Sequence, residues 1–215
     1  MVMVQLATGD NTRGNETPLA SGWLGPSGAA LSILNNTAQP SNYAQVEWSV
    51  YTTVGTYPTD QYSKANTQCE GGSSGGGQGM GVCVRASVRT QTLYSVVVNN
   101  AASNNLEIAK FIAGVKTSLG FITNTWNAGD SLELRVIGVH PATLTVWKNS
   151  NQIGSSYVDA DNTIRVGFPG FFYSPTVTNA QIYTWWVGGE YTMGSYIPSR
   201  VSAIGGIIST NDRVS

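Results

Sequence analysis

Residues Ser131–Ile137 constrain this chain most, because Leu132, Leu134 and Val136 alternate with Ser131, Glu133 and Arg135. A two-residue period puts the apolar side chains on one side of an extended backbone and the polar ones on the other, the pattern of a half-buried strand. Gly129-Asp130 supplies the tight turn that starts it. Leu144 and Val146 repeat the alternation in Thr143–Lys148. Lys148-Asn-Ser-Asn151 then reads as a hairpin turn, since asparagine tolerates the left-handed backbone such turns require. Gly167-Phe-Pro-Gly170 carries turn chemistry as well.

The same signals recur along the chain. Strands are expected at Ala29–Leu34, Ala44–Thr52, Gln61–Gln68, Gly81–Val88, Leu93–Val98, Leu106–Ile112, Leu132–Ile137, Thr143–Lys148, Gln152–Val158, Thr163–Val166 and Gln181–Val187. Their regular spacing, punctuated by Gly, Asn, Asp and Pro, predicts an all-β, two-sheet sandwich. Val46, Trp48 and Val50 share one face of their strand, and Val82, Val84 and Ala86 share one face of theirs; these are the core candidates. No stretch of ten residues has a helical period, although Pro198–Ile204 could form a turn or two.

Order and spacing together resemble the concanavalin A-like lectin/glucanase jelly roll, in its laminin-G-like form. Asp10-Asn-Thr-Arg13, Pro18-Leu19 and Ser21-Gly-Trp23 are similar to the family's opening segment. Asp60-Gln-Tyr62, the Gly-rich turn, Val82–Ser87 and Tyr94 match its middle strands, and the Trp126–Asp130 turn with the two strands after it continues the match. The resemblance spans roughly residues 10 to 173, and fold-level marks of this kind speak to architecture before activity. It implies an antiparallel jelly-roll sandwich, here a single domain over residues 1–190. Residues 191–215 lie beyond the resemblance and are expected to form an appended C-terminal arm, its Ile204–Ile208 patch packing across the sandwich or against a neighbouring subunit.

Composition agrees. A length of 215 residues suits one β-sandwich domain, and 41% hydrophobic content can bury enough surface to offset chain entropy. Only 11% of residues are charged, so Ser, Thr, Asn and Gln must dominate the surface, as in extracellular or virion β-proteins. A net charge of −1 leaves no basic footprint for nucleic acid. No secretory signal peptide is visible, and no segment has the apolar length to span a bilayer, so membrane insertion is not expected.

Cys69 and Cys83 flank a Gly-rich loop, Glu70–Gly81. A bridge closing about 15 residues stabilises by roughly 3 kcal/mol in the chain-entropy picture. Two unpaired thiols on neighbouring strands is the other reading, and sequence leaves both open. The loop lacks the following helix and Lys-Ser/Thr of a phosphate cradle, so it reads as a hairpin tip.

Enzymes on this scaffold set a test the chain does not meet. Glycosidic cleavage needs paired carboxylates, and Asp159-Ala-Asp161 is the one close pair, in what reads as a solvated turn. His140 is the only histidine and sits in a turn, which argues against a lyase cluster or a serine triad. Binding is therefore expected over catalysis. Sugar recognition uses aromatic faces and planar polar groups, and the expected contacts are Arg85 with Tyr94 on the next strand and Tyr51 or Trp147 for stacking. Arg85 could equally pair structurally with Glu47 or Glu107. Trp185-Trp186 reads as a strand pair with one ring in the core.

Many jelly-roll relatives hold a calcium ion behind the binding sheet, and Asp10 could contribute to one; no other cofactor is expected. Two classes of function follow. One is a non-catalytic glycan-binding, lectin-like adhesion module of a phage virion or cell surface. The other is a structural virion protein, a capsid decoration or tail component, that associates with other virion subunits or with itself through the C-terminal arm. A polysaccharide-cleaving enzyme ranks third.

Overall fold

The structure, a computed structural model, describes residues 3–10, 15, 22–28, 30–35, 37–42, 45–53, 55–69, 79–98, 105–127, 129–174 and 180–190. Every regular element among them is a strand: β1 (Met3–Asp10), β2 (Trp23–Leu24), β3 (Ser32–Leu34), β4 (Thr37–Gln39), β5 (Glu47–Tyr51), β6 (Gln61–Cys69), β7 (Met80–Ser87), β8 (Thr92–Val98), β9 (Asn105–Ile112), β10 (Val115–Thr123), β11 (Ser131–Ile137), β12 (Ala142–Lys148), β13 (Asn151–Asp159), β14 (Phe168–Tyr173) and β15 (Ala180–Glu190). The expected arm, with its Ile204–Ile208 patch and Pro198–Ile204 turn, lies outside the described residues, as does most of the Gly-rich loop.

The strands form two antiparallel sheets. One runs β13-β12-β11-β6-β15-β4-β3, with β1 also paired to β15; the other runs β10-β9-β8-β7-β14-β5-β2. Between them lies one core. Leu132, Leu134 and Val136 of β11 and Leu144 and Val146 of β12 meet Val82 and Val84 of β7, Tyr94, Val96 and Val98 of β8 and Phe171 of β14. At one end Trp23 stacks on Phe171, ring centres 4.4 Å apart, and meets Trp185 edge-on at 5.1 Å. Polar bonds also cross the gap: Ser63 Oγ donates to Gly170 O (2.8 Å), and Gln61 Nε2 to Gly167 O (3.2 Å).

Two hairpins have the two-residue loops that match strand twist. Asn149 and Ser150, both with positive φ, join β12 to β13 where the sequence places a turn; Ala113 and Gly114 do the same between β9 and β10. The long edge strands then touch. The Tyr157 hydroxyl of β13 donates to Phe121 O of β10 (3.0 Å), and a Cβ on Gly120 would lie 2.2 Å from the Tyr157 ring, so only glycine lets the edges close there.

Several expectations change. Thr163–Val166 is not a strand, whereas Phe168–Tyr173 is, despite its Gly-Phe-Pro-Gly start. Pro169, which cannot donate to a ladder, falls where the β14–β7 register shifts between Phe168 and Gly170, so the missing N–H costs no pairing. Strands β1, β2, β4 and β10 appear where no alternation announced them; most of β10 is exposed, which leaves it no apolar phase. Val46, Trp48 and Val50 do not enter the central core but pack on the outer face of their sheet with Cys83, Leu93, Val97, Phe111 and Phe172.

That outer face is curved. Phe111 on β9 and Phe172 on β14 stand three strands apart, yet their ring centres are 5.2 Å apart. Strand spacings of about 4.8 Å would hold such rings apart on a flat sheet, so the face curls into a trough that its own aromatic rings fill.

Candidate functional site

A change of backbone handedness at Arg85 relocates the residue expected to contact ligand. Arg85 has φ +48°, and the β7–β8 register shifts between Val84 and Ser87, a bulge that breaks the two-residue period. Ala86 therefore joins the outer cluster, while Val82 and Val84 stay in the central one. The Arg85 side chain is fully buried. Its Nε donates to Thr59 O (2.9 Å), Nη1 to Ile164 O (3.3 Å) and Nη2 to Gly138 O (2.6 Å), with Asp60 Oδ1 3.8 Å away. Neither Glu47 nor Glu107 is the partner: Glu47 accepts from Ser41 and Asn42, and Glu107 from Lys116.

Tyr94 is likewise buried, and its hydroxyl donates to Asp159 Oδ2 (2.9 Å). Burial, then that bond, pushes its pKa far up. Tyr51 lies with its ring centre 5.3 Å from that of Trp23 and 4.8 Å from that of Trp185. Arg85 and Tyr94 are internal supports; Tyr51 is half-buried against the core, and Trp147, also half-buried, stands on the outer face of β12. Trp185 is in the core as expected; the Trp186 side chain is outside the described set.

Cross-strand register builds a different constellation around Trp147. On β11, Leu132, Leu134 and Val136 face the core, so Glu133 and Arg135 face outward. Glu133 pairs with Trp147 of β12 and Lys64 of β6; Arg135 pairs with Thr145 and Tyr62. Gln152 of β13 extends the first row beyond Trp147. The Arg135 guanidinium carbon sits 3.8 Å from the centre of the Trp147 ring, and its Nε donates to Glu133 Oε1. Trp147 Nε1 donates to Thr145 Oγ1 (3.0 Å), which fixes the indole plane. Burial first, then the Glu133 carboxylate, raises the Tyr62 phenol to about 12 against the opposing pull of Arg135, so it remains a neutral hydroxyl.

The polar phase of Ser131–Ile137 already marks Glu133 and Arg135 as outward-facing. What sequence alone does not supply is the pairing of β11 with β6, which brings Tyr62 and Lys64 alongside from about 70 residues away in the chain. The result is a cross-strand cluster in which a half-buried indole and an oriented, half-buried guanidinium reach the surface beside a buried phenol and a buried carboxylate. It offers a planar apolar surface next to directed donors.

Other groups have local roles. Asp159 is buried rather than solvated, and Lys110 Nζ donates to Asp159 Oδ1 (2.9 Å) and Asp161 Oδ2 (3.1 Å). That ammonium occupies the space a cation would need, so this carboxylate pair does not fit calcium. No three His, Cys, Asp or Glu side chains converge among the described residues, and the Asp10 side chain is not one of them. Cys83 is a free, buried thiol donating to Phe171 O (3.5 Å) on the outer side of β7, so the bridge to Cys69 is not formed. His140 is exposed in its turn. A depression of about 210 Å³, at the rim of the aromatic trough, is lined mainly by Pro26, Val46, Trp48, Leu93 and Phe111 with Gln91. Among the described residues, no helix is long and apolar enough to cross a membrane.

No family model matches the sequence, and no curated protein matches it. Solved structures do. The chain is similar to the carbohydrate-binding module CBM66 from Bacillus subtilis (TM-score 0.53, 12% identity, covering 79% of this chain and 93% of that one). It is similar to the VIP36 exoplasmic/lumenal domain in its Ca2+/Man3GlcNAc-bound form (TM-score 0.53, 8% identity, 82% and 85%). A galectin-like-fold protein of unknown function from Bacillus subtilis aligns over 87% of this chain and 97% of its own (TM-score 0.52, 10% identity). Strand order, two facing sheets and these likenesses agree, and the chain has the concanavalin A-like, lectin-type β-sandwich fold.

Proposed function

We propose that the protein is a non-catalytic carbohydrate-binding module that adheres to a glycan through the outer face of β6, β11 and β12. The observation that carries this reading is the half-exposed Trp147 ring held under Arg135, with Tyr62, Glu133 and Lys64 in the adjoining register positions. A pyranose presents an apolar face suited to an aromatic ring, and hydroxyls suited to planar polar groups. Both are mounted here on paired strands, which hold them in place better than loops do. Solved structures of this fold that are named as a carbohydrate-binding module or carry a bound oligosaccharide are in keeping with it.

Catalysis is not part of the proposal. Glycoside hydrolysis needs two carboxylates flanking one bond, and Glu133 is the one carboxylate in these rows among the described residues, already engaged by Arg135. The proposed setting is a virion or cell surface, supported by a chain low in charge and rich in neutral polar residues.

The test is a broad glycan and polysaccharide array probed with the full chain and with Trp147→Ala. Reproducible binding that disappears in a folded variant is the expected result. Silence across the array from a chain with a folded β-rich spectrum would refute the reading in favour of a structural virion component.

A further inference from the structure

We propose that Arg135 is a carboxylate clamp and that the ligand of the β6–β11–β12 face is an acidic polysaccharide whose sugar rings carry carboxylates. The inference rests on the carbohydrate-binding reading and narrows it to a substrate class.

The molecule contains its own contrast between a structural and a presented arginine. Arg85 is fully buried, and Nε, Nη1 and Nη2 each donate to a backbone carbonyl. Arg135 is bound on its inner side only. Nε is spent on Glu133 and the guanidinium face rests on Trp147, while Nη1 and Nη2 make no hydrogen bond with any described residue and the side chain is 25% exposed. A guanidinium carries five N–H donors in a rigid fork. Fixing Nε and one face leaves the outer Nη edge oriented before any ligand arrives, which lowers the ordering cost of binding. The natural complement of that edge is a group with two oxygens side by side.

Charge points the same way. In the two cross-strand rows Arg135 is the cation whose charge reaches solvent, its side chain 25% exposed, whereas the opposing Glu133 side chain is only 7% exposed beneath it. The platform therefore shows solvent a positive edge. The whole chain has a net charge of −1, so attraction for a polyanion must come from this face rather than from the molecule at large. The Trp147 ring beside the fork gives the sugar ring of an acidic residue a surface while its carboxylate meets the Nη groups. A sulfate ester shares the two-oxygen chemistry, so the experiment separates the two anions.

Binding of the full chain would be measured by calorimetry against polygalacturonate, alginate and hyaluronan, each paired with its methyl ester, and against dextran sulfate and neutral glucans. The variants are Arg135→Gln, Arg135→Lys and the double variant Glu133→Gln/Arg135→Gln, which leaves no buried carboxylate unpaired if the single change impairs folding. Arg165→Gln, an exposed arginine outside the three strands of the face, matches the charge change. At least one polyuronate should bind tenfold or more tighter than its ester and than dextran sulfate. That binding should be lost in the Gln variants, partly kept by Lys and unchanged in Arg165→Gln. Equal affinity for acid and ester, preference for the sulfate, or equal loss in Arg165→Gln would overturn the clamp. If neutral glycans bind and Trp147→Ala abolishes it, the carbohydrate reading survives while the acidic class is refuted. If no glycan of any kind binds, both fall.

Discussion

The Arg135 guanidinium lies diagonally across one strand step from Trp147, its central carbon 3.8 Å from the middle of the indole ring. The diagonal follows from register: Arg135 is opposite Thr145 and Trp147 is opposite Glu133, so each charged residue of β11 touches the other's partner row. Cross-strand neighbours at this spacing are within reach of long side chains.

A comparison of two tryptophans separates surface from core. Trp147→Ala removes a half-exposed ring and should cost about 1–2 kcal/mol, the scale of an aromatic and cation–π contact. Trp23→Ala removes a ring that is 7% exposed and packed against Phe171 and Trp185. It should cost about 3–5 kcal/mol. Urea unfolding of both, read as midpoint shifts at constant slope, checks the order, and glycan binding should follow the reverse order of specificity.

Arg85→Met should destabilise severely. It strips a donor from each of three carbonyls, Thr59, Ile164 and Gly138, and removes the cation nearest Asp60. Breaking one side of such a buried arrangement costs about 3–5 kcal/mol. A folded variant with near-native stability would show that the guanidinium does not tie β7 to the ends of β6 and β11.

The Lys110 latch gives stability two pH limits. Hydrogen bonds from Thr163 and Lys110 hold the Asp161 carboxyl below its usual range. At Lys110 burial pulls downward, but Asp159 and Asp161 outweigh it and raise the ammonium. A depressed carboxyl stabilises above its unfolded value, near 3.9, and loses that contribution as pH falls through the folded one. A raised ammonium stabilises below its unfolded value, about 10.4, and loses it as pH rises through the folded one. Thermal midpoints should therefore plateau between roughly pH 4 and 10 and fall on both sides. Lys110→Met should lower the plateau and flatten the alkaline limb, whereas Asp130, held low by Asn127, Lys148 and Asn149 against burial, keeps part of the acid limb.

Cys83 should be chemically silent while the chain is folded. Burial drives its thiol far above the ordinary range, so almost no thiolate is present at neutral pH. In a Cys69→Ser background, a disulfide reagent should react with one thiol in 6 M guanidinium and with none on the same timescale in buffer. Rapid labelling of the native protein would contradict the burial of Cys83 beneath the outer aromatic cluster.

How far the sequence could be read depended on whether a segment has one wet face. Ser131–Ile137 and Thr143–Lys148 do, so their extent and orientation were legible, and Asn149-Ser150 announced its own turn. Phe168–Tyr173 is buried on both faces apart from its first residue, with glycine and proline where strands next to it come close. A Cβ on Gly170 would lie 2.1 Å from Ser49 O, so the residue that looks like a turn former is there to let β5 approach. Period carries no information in such a strand.

Local patterning determined that this chain would be all-β, which residues of β11 and β12 face the core, and that Trp147 would be available at a surface. Only tertiary structure decided the rest. A single left-handed residue at Arg85 turned the expected contact inward, because one positive φ shifts the phase of everything beyond it. Pairing β6 with β11 assembled Tyr62, Lys64, Glu133 and Arg135 around the indole, because strand order is set by how two whole sheets bury their apolar faces and is written in no one strand.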